Sequence, residues 1–188
     1  MYEDINHDGN IDELDIVYLG NCNPKLTGGF GFTLRWKQLS MNAFFNYRYG
    51  NKIINRARMN AEAMENSYNQ SIAVNYRWRK EGDVTEIPRA HYNGNVVAYN
   101  TLGSDRFVED GSFLRFKYLT FSYAFEKKLL DKIRFNSLSM YLTLNNLWTW
   151  TKYTGVDPEL SPDGRGICYD DSYTPRSQYF TFGVTLGF

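Results

Sequence analysis

The 188 residues suffice for one ordinary domain with a sizeable core. Basic and acidic side chains balance at 21 each with no run of either sign, which gives no electrostatic basis for holding nucleic acid. No stretch approaches the ~20 apolar residues that a membrane-crossing helix needs.

A mean hydropathy of −0.51 therefore excludes a helical membrane protein. It does not exclude a β-barrel, whose strands alternate polar and apolar residues and so average out. The informative excess is aromatic: 17% of the chain is Phe, Trp or Tyr, and rings with a polar tip favour a boundary between oil and water. Cys22 and Cys168 lie outside any metal-ligand spacing and are compatible with free thiols or with one disulfide. Residues Met1 to Asn10 are polar and acidic and lack the basic start and apolar run of a secretory signal, so an exported protein with this start is expected to be a fragment or a mature piece.

The first motif in chain order runs from Asp4 to Asp15. Asp4, Asn6, Asp8, Asp12 and Asp15 place oxygen side chains at positions 1, 3, 5, 9 and 12 of a twelve-residue loop, with Gly9 at position 6 and the Asn10 carbonyl at position 7. This is an EF-hand-like pattern, and a hard cation that wants six to eight oxygens, such as Ca2+, is the expected ligand. Ile11 is expected to anchor the loop from below. Asp15 stands where Glu is usual, and its shorter arm makes bidentate ligation harder. The rival reading is an acidic Asx-turn that binds nothing.

From Gly28 to Trp36, Phe30, Phe32, Leu34 and Trp36 share one face, a period of two and hence a strand. After a break at Lys37-Gln38 a second strand follows from Leu39 to Tyr49, with Phe44 a lone aromatic on the polar face. Asn51 to Asp110 shows no strand period and reads as one long loop, with helix-compatible stretches between Asn55 and Trp78 and turn formers at Gly82-Asp83 and Asn93-Gly94-Asn95. Strand character returns at Phe113, where Leu119, Phe121, Tyr123 and Phe125 alternate with polar residues. Glu126 to Asn136 makes a short connection. Leu138, Met140, Leu142 and Leu144 mark the fourth strand, and a Gly, Pro and Asp-rich loop then runs to about Arg176. In the last strand Phe180, Phe182, Val184, Leu186 and Phe188 share a face.

About five strands joined alternately by short and long connections have the rhythm of an outer-membrane barrel. If Phe188 lies on the periplasmic side, the short connections do too, and both long loops and residues 1–27 face outward. Residues 28–188 are then barrel strands and loops. A soluble β-sandwich also alternates, but it would spread turn signals evenly, every ~8–12 residues, and would not set small polar residues so consistently opposite bulky rings.

Catalytic signatures are missing: the chain has no HExxH, no GxSxG and no phosphate-cradling Gly loop, and His7 and His91 are isolated. An enzyme is not expected. Asp157, Glu159, Asp163, Asp170 and Asp171, interleaved with Pro158, Pro162 and Gly164, read as a solvated turn. Trp148, Trp150 and Tyr153 read as interface anchors at the outer end of a strand rather than as sugar-stacking rings.

The chain resembles the SusC/RagA family of TonB-linked outer-membrane proteins along essentially its whole length. The resemblance is carried by the acidic loop ahead of Tyr18-Leu19-Gly20 and Gly28-Gly29, by Gly82 to Ala90, by Ser104 to Arg115, and by Asn145 to Glu159. It implies an all-β, antiparallel transmembrane fold, the C-terminal part of a barrel of about 22 strands, in the outer membrane of a Gram-negative bacterium. It also implies a SusD-like surface lipoprotein as partner, a TonB complex engaged through an N-terminal part not present here, and import of glycan oligomers or peptides. Phe188 resembles the terminal signal read by the barrel-assembly machinery. Open strand edges in lipid would need the rest of the barrel to pair them. The alternatives are a calcium-stabilised carbohydrate-binding β-sandwich and, last, a dockerin-like element, which needs two such loops.

Overall fold

The structure, a computed structural model, describes residues 3–65, 69–91, 100, 104–132 and 135–188. The turn expected at Asn93-Gly94-Asn95 lies outside them. Among the described residues seven strands form: β1 (Leu26–Trp36), β2 (Leu39–Tyr49), β3 (Lys52–Ile54), β4 (Val108–Asp110), β5 (Phe113–Ala124), β6 (Ser137–Thr151) and β7 (Tyr179–Gly187). Two short α-helices lie among these residues, α1 (Arg56–Ala61) and α2 (Lys127–Leu130). Strands β1, β2, β5, β6 and β7 pair in that order into one antiparallel five-stranded sheet, each neighbouring the next in the chain apart from the β2–β5 excursion. The sheet is open, with β1 and β7 as its edges.

The register sorts side chains as the alternation requires. Phe30 faces Phe45, Phe45 faces Phe116, and Phe116 faces Trp148, a row of rings across four strands. The first two contacts are stacked, with centroids 5.1 and 4.4 Å apart. Cross-strand aromatic pairs of this kind are a unit of sheet stabilisation. On the opposite face hydroxyls and amides are aligned: Thr120 meets Thr143 at 2.9 Å, and Ser40 lies opposite Ser122. The register shifts between Phe44 and Phe45 of β2 in its pairing with β5, and between Phe116 and Tyr118 of β5 in its pairing with β6. Around this bulge the apolar face passes from Leu119 to Phe116 and from Leu144 to Trp148, so both ends of each strand keep their rings on the same side.

No second layer covers the apolar face among the described residues. Phe30, Leu34, Trp36, Trp148, Phe180 and Phe182 are all at least half exposed, at 53 to 74%. The buried core lies elsewhere, at the end of the sheet that carries the long connections. There Ile53, Tyr153 and Cys168 pack with Cys22 and Leu160, and Met64, Val74 and Ile87 form a second cluster. A soluble sandwich buries its core between facing sheets; this chain leaves one sheet face bare and builds its core in the loops.

The long excursion is more ordered than a loop. Strands β3 and β4 pair within it, α1 follows with Asn55 as its cap, and Ile54 bridges in parallel to Tyr169 of the second long loop. The first strand begins at Leu26, slightly ahead of the expected Gly28. Glu126 to Asn136 includes α2, beginning directly after Glu126.

Candidate functional site

All long connections leave the sheet at one end and fold together there. Lys52 donates its amide to the Asn21 carbonyl at 2.8 Å, and Ile54 donates to Cys168 and accepts from Asp170, both at 2.9 Å. Cys22 and Cys168, 146 residues apart, are joined as a disulfide with Cα atoms 5.5 Å apart, which closes the alternative left open by spacing. The bond ties the segment ahead of β1 to the loop between β6 and β7, and disulfides persist in oxidising compartments such as the cell surface.

Two ionic networks fix this cap. Glu62, 4% exposed, is paired with Arg58 at 3.1 Å and with Arg106, while Arg58 also reaches Glu109 at 3.3 Å. Burial works to raise the Glu109 pKa, but the amide and hydroxyl of Thr154 and the side chains of Asn55 and Arg58 donate to it and hold it below the usual range. In the second network Arg115, its side chain 3% exposed, meets Asp157 at 2.5 Å and Glu159 at 3.0 Å, and Arg176 meets Glu159 at 2.9 Å. Burial again opposes ionisation of Asp157, but donors from Arg115 and from the Glu159 and Arg176 amides outweigh it, so its pKa lies below the usual value.

The acidic residues of the second loop are therefore not a solvated turn. Asp157 and Glu159 are half-buried partners of Arg115, and Asp170, 3% exposed, accepts from the Tyr153 hydroxyl at 2.5 Å. Asp163 and Asp171 are the more exposed members and pair with Arg165 and Arg56. Tyr153 corrects a second expectation: it is a core residue at 6% exposure, not an interface anchor, and burial together with the Asp170 contact pushes its phenol well above its ordinary pKa. Trp148 and Trp150 do lie exposed on the apolar face.

The residues Asp4 to Asp15 form a closed loop. His7 and Gly9 have φ of 60° and 86°, the left-handed conformation such a tight turn requires. Asp4 accepts from the amides of Asp8 and Gly9, Asn6 from Asp8, and Asp8 from Asn10. Asp12 caps the 3-10 turn Glu13–Asp15 by accepting from Leu14. Asp15 accepts from Asp12 at 2.9 Å and from Ile5 at 2.7 Å, clipping both ends of the loop together, and the Asp12 amide is the main cause of its lowered pKa. Ile11 is half-buried. The oxygen donors have the chemistry a hard cation needs and the backbone wraps around them. Yet among the described residues no three Asp, Glu, His or Cys side chains converge as a ligand group, because these carboxylates are turned to the loop's own amides.

Sequence reasoning missed Arg48, Arg58, Glu62, Arg106 and Arg115. The available signal was charge inside an alternating strand, as at Arg48 and Arg115, where a lone guanidinium on the polar face needs a partner.

No family model matches the chain. Among curated proteins it is 32% identical over its whole length to TonB-dependent receptor P26 of Formosa agariphila and 28% identical to TonB-dependent receptor P3 of the same organism, spanning 19% of each. It is 27% identical to TonB-dependent receptor SusC of Bacteroides thetaiotaomicron, spanning 17% of it. Solved structures of the RagAB peptide importer superpose on it in the open-open state with a TM-score of 0.69 and 27% identity, covering 90% of this chain, and in the closed-closed state with 0.72 and 28%, covering 89%. Each match takes in 18% of the importer chain. A five-stranded antiparallel wall with a bare apolar face, aligned end to end with TonB-dependent receptors and SusC and folded like part of RagAB, makes this chain a β-barrel segment similar to the corresponding part of the SusC/RagA-like receptors.

Proposed function

We propose that the chain is wall and external loop of an outer-membrane, TonB-dependent nutrient importer of a Gram-negative bacterium, a transporter part and not an enzyme. The observation that carries this reading is the inverted burial: rings on one sheet face lie open while the core sits among the loops. Lipid is the solvent that suits such a face, and the remaining strands of a closed barrel would pair the edges β1 and β7. The imported material is a glycan oligomer or a peptide handed over by a SusD-like surface lipoprotein, with energy relayed by TonB through parts of the receptor outside this segment. The RagAB peptide importer and the SusC receptor support that assignment.

Phe188, exposed beyond the end of β7 and edge-on to Phe135 at 5.4 Å, would serve as the assembly signal. Asp4, Asn6, Asp8, Asn10, Asp12 and Asp15 would hold Ca2+ by reorienting carboxylates around a loop already closed by Asp15. The cation would supply cross-linking charge to the external segment and no chemistry. The deciding experiment is fractionation of the full receptor carrying this segment. Recovery with the outer membrane and extraction only by detergent support the proposal, whereas a buffer-soluble folded monomer would falsify it and restore the binding-module alternative.

A further inference from the structure

The end of the sheet that carries the short connections is built differently from the end that carries the loops. The last row of the apolar face there runs through Trp36, Leu39 and Tyr123 on β1, β2 and β5, paired in register and all exposed. Trp36 is the most open of them at 70%, and the tight turn that follows it starts with Lys37, whose Nζ lies 5.2 Å from the centre of the Trp36 ring. Lys37 has φ of 53°, the left-handed conformation that such turns ordinarily give to Gly or Asn. A cation thus occupies a turn position that Gly would fill with less strain.

The second short connection lies beside the first. Ala124 donates its amide to the Gln38 carbonyl at 3.0 Å, and the Gln38 side chain donates to Glu126 at 2.7 Å, so α2 starts next to the Lys37 turn. Leu130, 2% exposed, anchors that helix, while Lys127, Lys128, Leu129 and Lys132 stand exposed around it. The chain as a whole is neutral, yet these two connections present four exposed lysines, with Lys37, against Glu126 and Asp131, and Glu126 is already engaged by Gln38. Apolar side chains that end on an indole, with ammonium groups immediately beyond, follow the order of a membrane leaflet from hydrocarbon through interface to headgroup. Lysine suits this place because its stem lies along apolar surface while its charge reaches outward. A zwitterionic headgroup answers its phosphate with its own cation, whereas an acidic headgroup leaves that charge for the protein to meet.

We infer that Lys37, Lys127, Lys128 and Lys132 form a binding site for the anionic headgroup of an acidic glycerophospholipid, in the leaflet that the short connections meet. The inference rests on the outer-membrane reading and adds a lipid preference to it. The test is photocrosslinking in the full-length receptor carrying Leu129→p-benzoylphenylalanine, folded into vesicles of equal parts phosphatidylglycerol and phosphatidylcholine, with the captured lipid identified by mass spectrometry. Phosphatidylglycerol should be captured about threefold or more over phosphatidylcholine, as expected for several lysines near a lipid surface. Replacing the four lysines by Gln should bring the ratio near one, and replacing them by Arg should keep it. High salt should lower the ratio with the lysines intact, an arm that reads charge without any risk to the fold. An unchanged urea midpoint in phosphatidylcholine vesicles separates loss of preference in the Gln variant from loss of structure. A ratio near one with the native lysines, a preference that survives both Gln replacement and salt, or no captured lipid would each overturn the inference. None of these touches the importer reading, which stands or falls separately on fractionation with the outer membrane.

Discussion

Phe44 is an aromatic ring on the wet side of the wall, and its neighbours make the room. A Cβ at Gly31 would come within 2.6 Å of the Ala43 carbonyl and 3.1 Å of the Phe44 ring, and one at Gly29 within 2.6 Å of the same ring. The ring lies over two backbone stretches without side chains and stacks on Tyr118 at 5.6 Å. Flexible neighbours can yield, but a backbone carbonyl in a paired strand cannot. Gly31→Val should therefore destabilise the β1–β2 pair by about 1–3 kcal/mol, the usual cost of overpacking, read as a lowered urea midpoint of the refolded receptor. Phe44→Ala in the same background should recover little, because the carbonyl clash remains.

Arg115 is the other residue on which much depends. Replacing it by Ala leaves Asp157 and Glu159, 14% and 13% exposed, facing each other without their main cation. A cost of about 3 kcal/mol is expected for breaking a buried pair by removing one partner, with residues 157–176 released from the wall. Hydrogen exchange should show the release as lost protection at the Glu159 and Arg176 amides and little change in β6 and β7. Acid should act on the same clamp from the other side. The Asp157 carboxyl is held below its ordinary value of 3.8, so its contribution is complete above about that pH and is lost as pH falls from there through the folded value. Exchange corrected for intrinsic rates should be unchanged between pH 7 and 5 and rise below about 3.8; release already at pH 5 would show that Asp157 is not the controlling group.

At the scale of elements, the strands were legible and the cap was not, for a physical reason. Alternation is a local property, set by which neighbouring medium each face meets, and it located β2 from Leu39 to Tyr49 without error. The first half of β5 read less clearly because the register shift at Phe116 to Tyr118 changes the phase of the pattern. In the cap the determining contacts are distant: Arg115 finds Asp157 42 residues on, and Ile53 is buried by Tyr153 and Cys168. No periodicity announces such pairings, so Asp157 and Asp170 looked like turn residues and Tyr153 like a girdle ring. The acidic loop was legible as a pattern of donors, but the arrangement of those donors follows from amide contacts that composition does not reveal. The disulfide joins these parts across 146 residues, and closing so long a loop should contribute about 2–5 kcal/mol. Paired Cys22→Ser and Cys168→Ser substitutions should make the segment ahead of β1 and the β6–β7 loop sensitive to protease while the five-stranded sheet stays protected. Equal loss of protection in the sheet would mean that cap and wall form one cooperative unit.

For the whole molecule, the two faces of the sheet should answer differently to the same charge. Leu142 and Thr143 are consecutive on β6, facing Phe121 and Phe182 on the apolar side and Thr120 and Thr181 on the polar side. In the full receptor, Leu142→Arg places a guanidinium in hydrocarbon. It should cost about 2–4 kcal/mol near the bilayer midplane, because no partner or water is within reach. Thr143→Arg puts the same group toward a wet lumen, where the loss is limited to the Thr120 hydroxyl contact and local crowding. Folding into lipid vesicles, followed by urea titration, should show a clear shift for the first and a small one for the second. If the order were reversed, the face carrying Leu142 would be the one that meets water and the face carrying Thr143 the one shut away from it, and the lipid-facing assignment of the apolar side would fail.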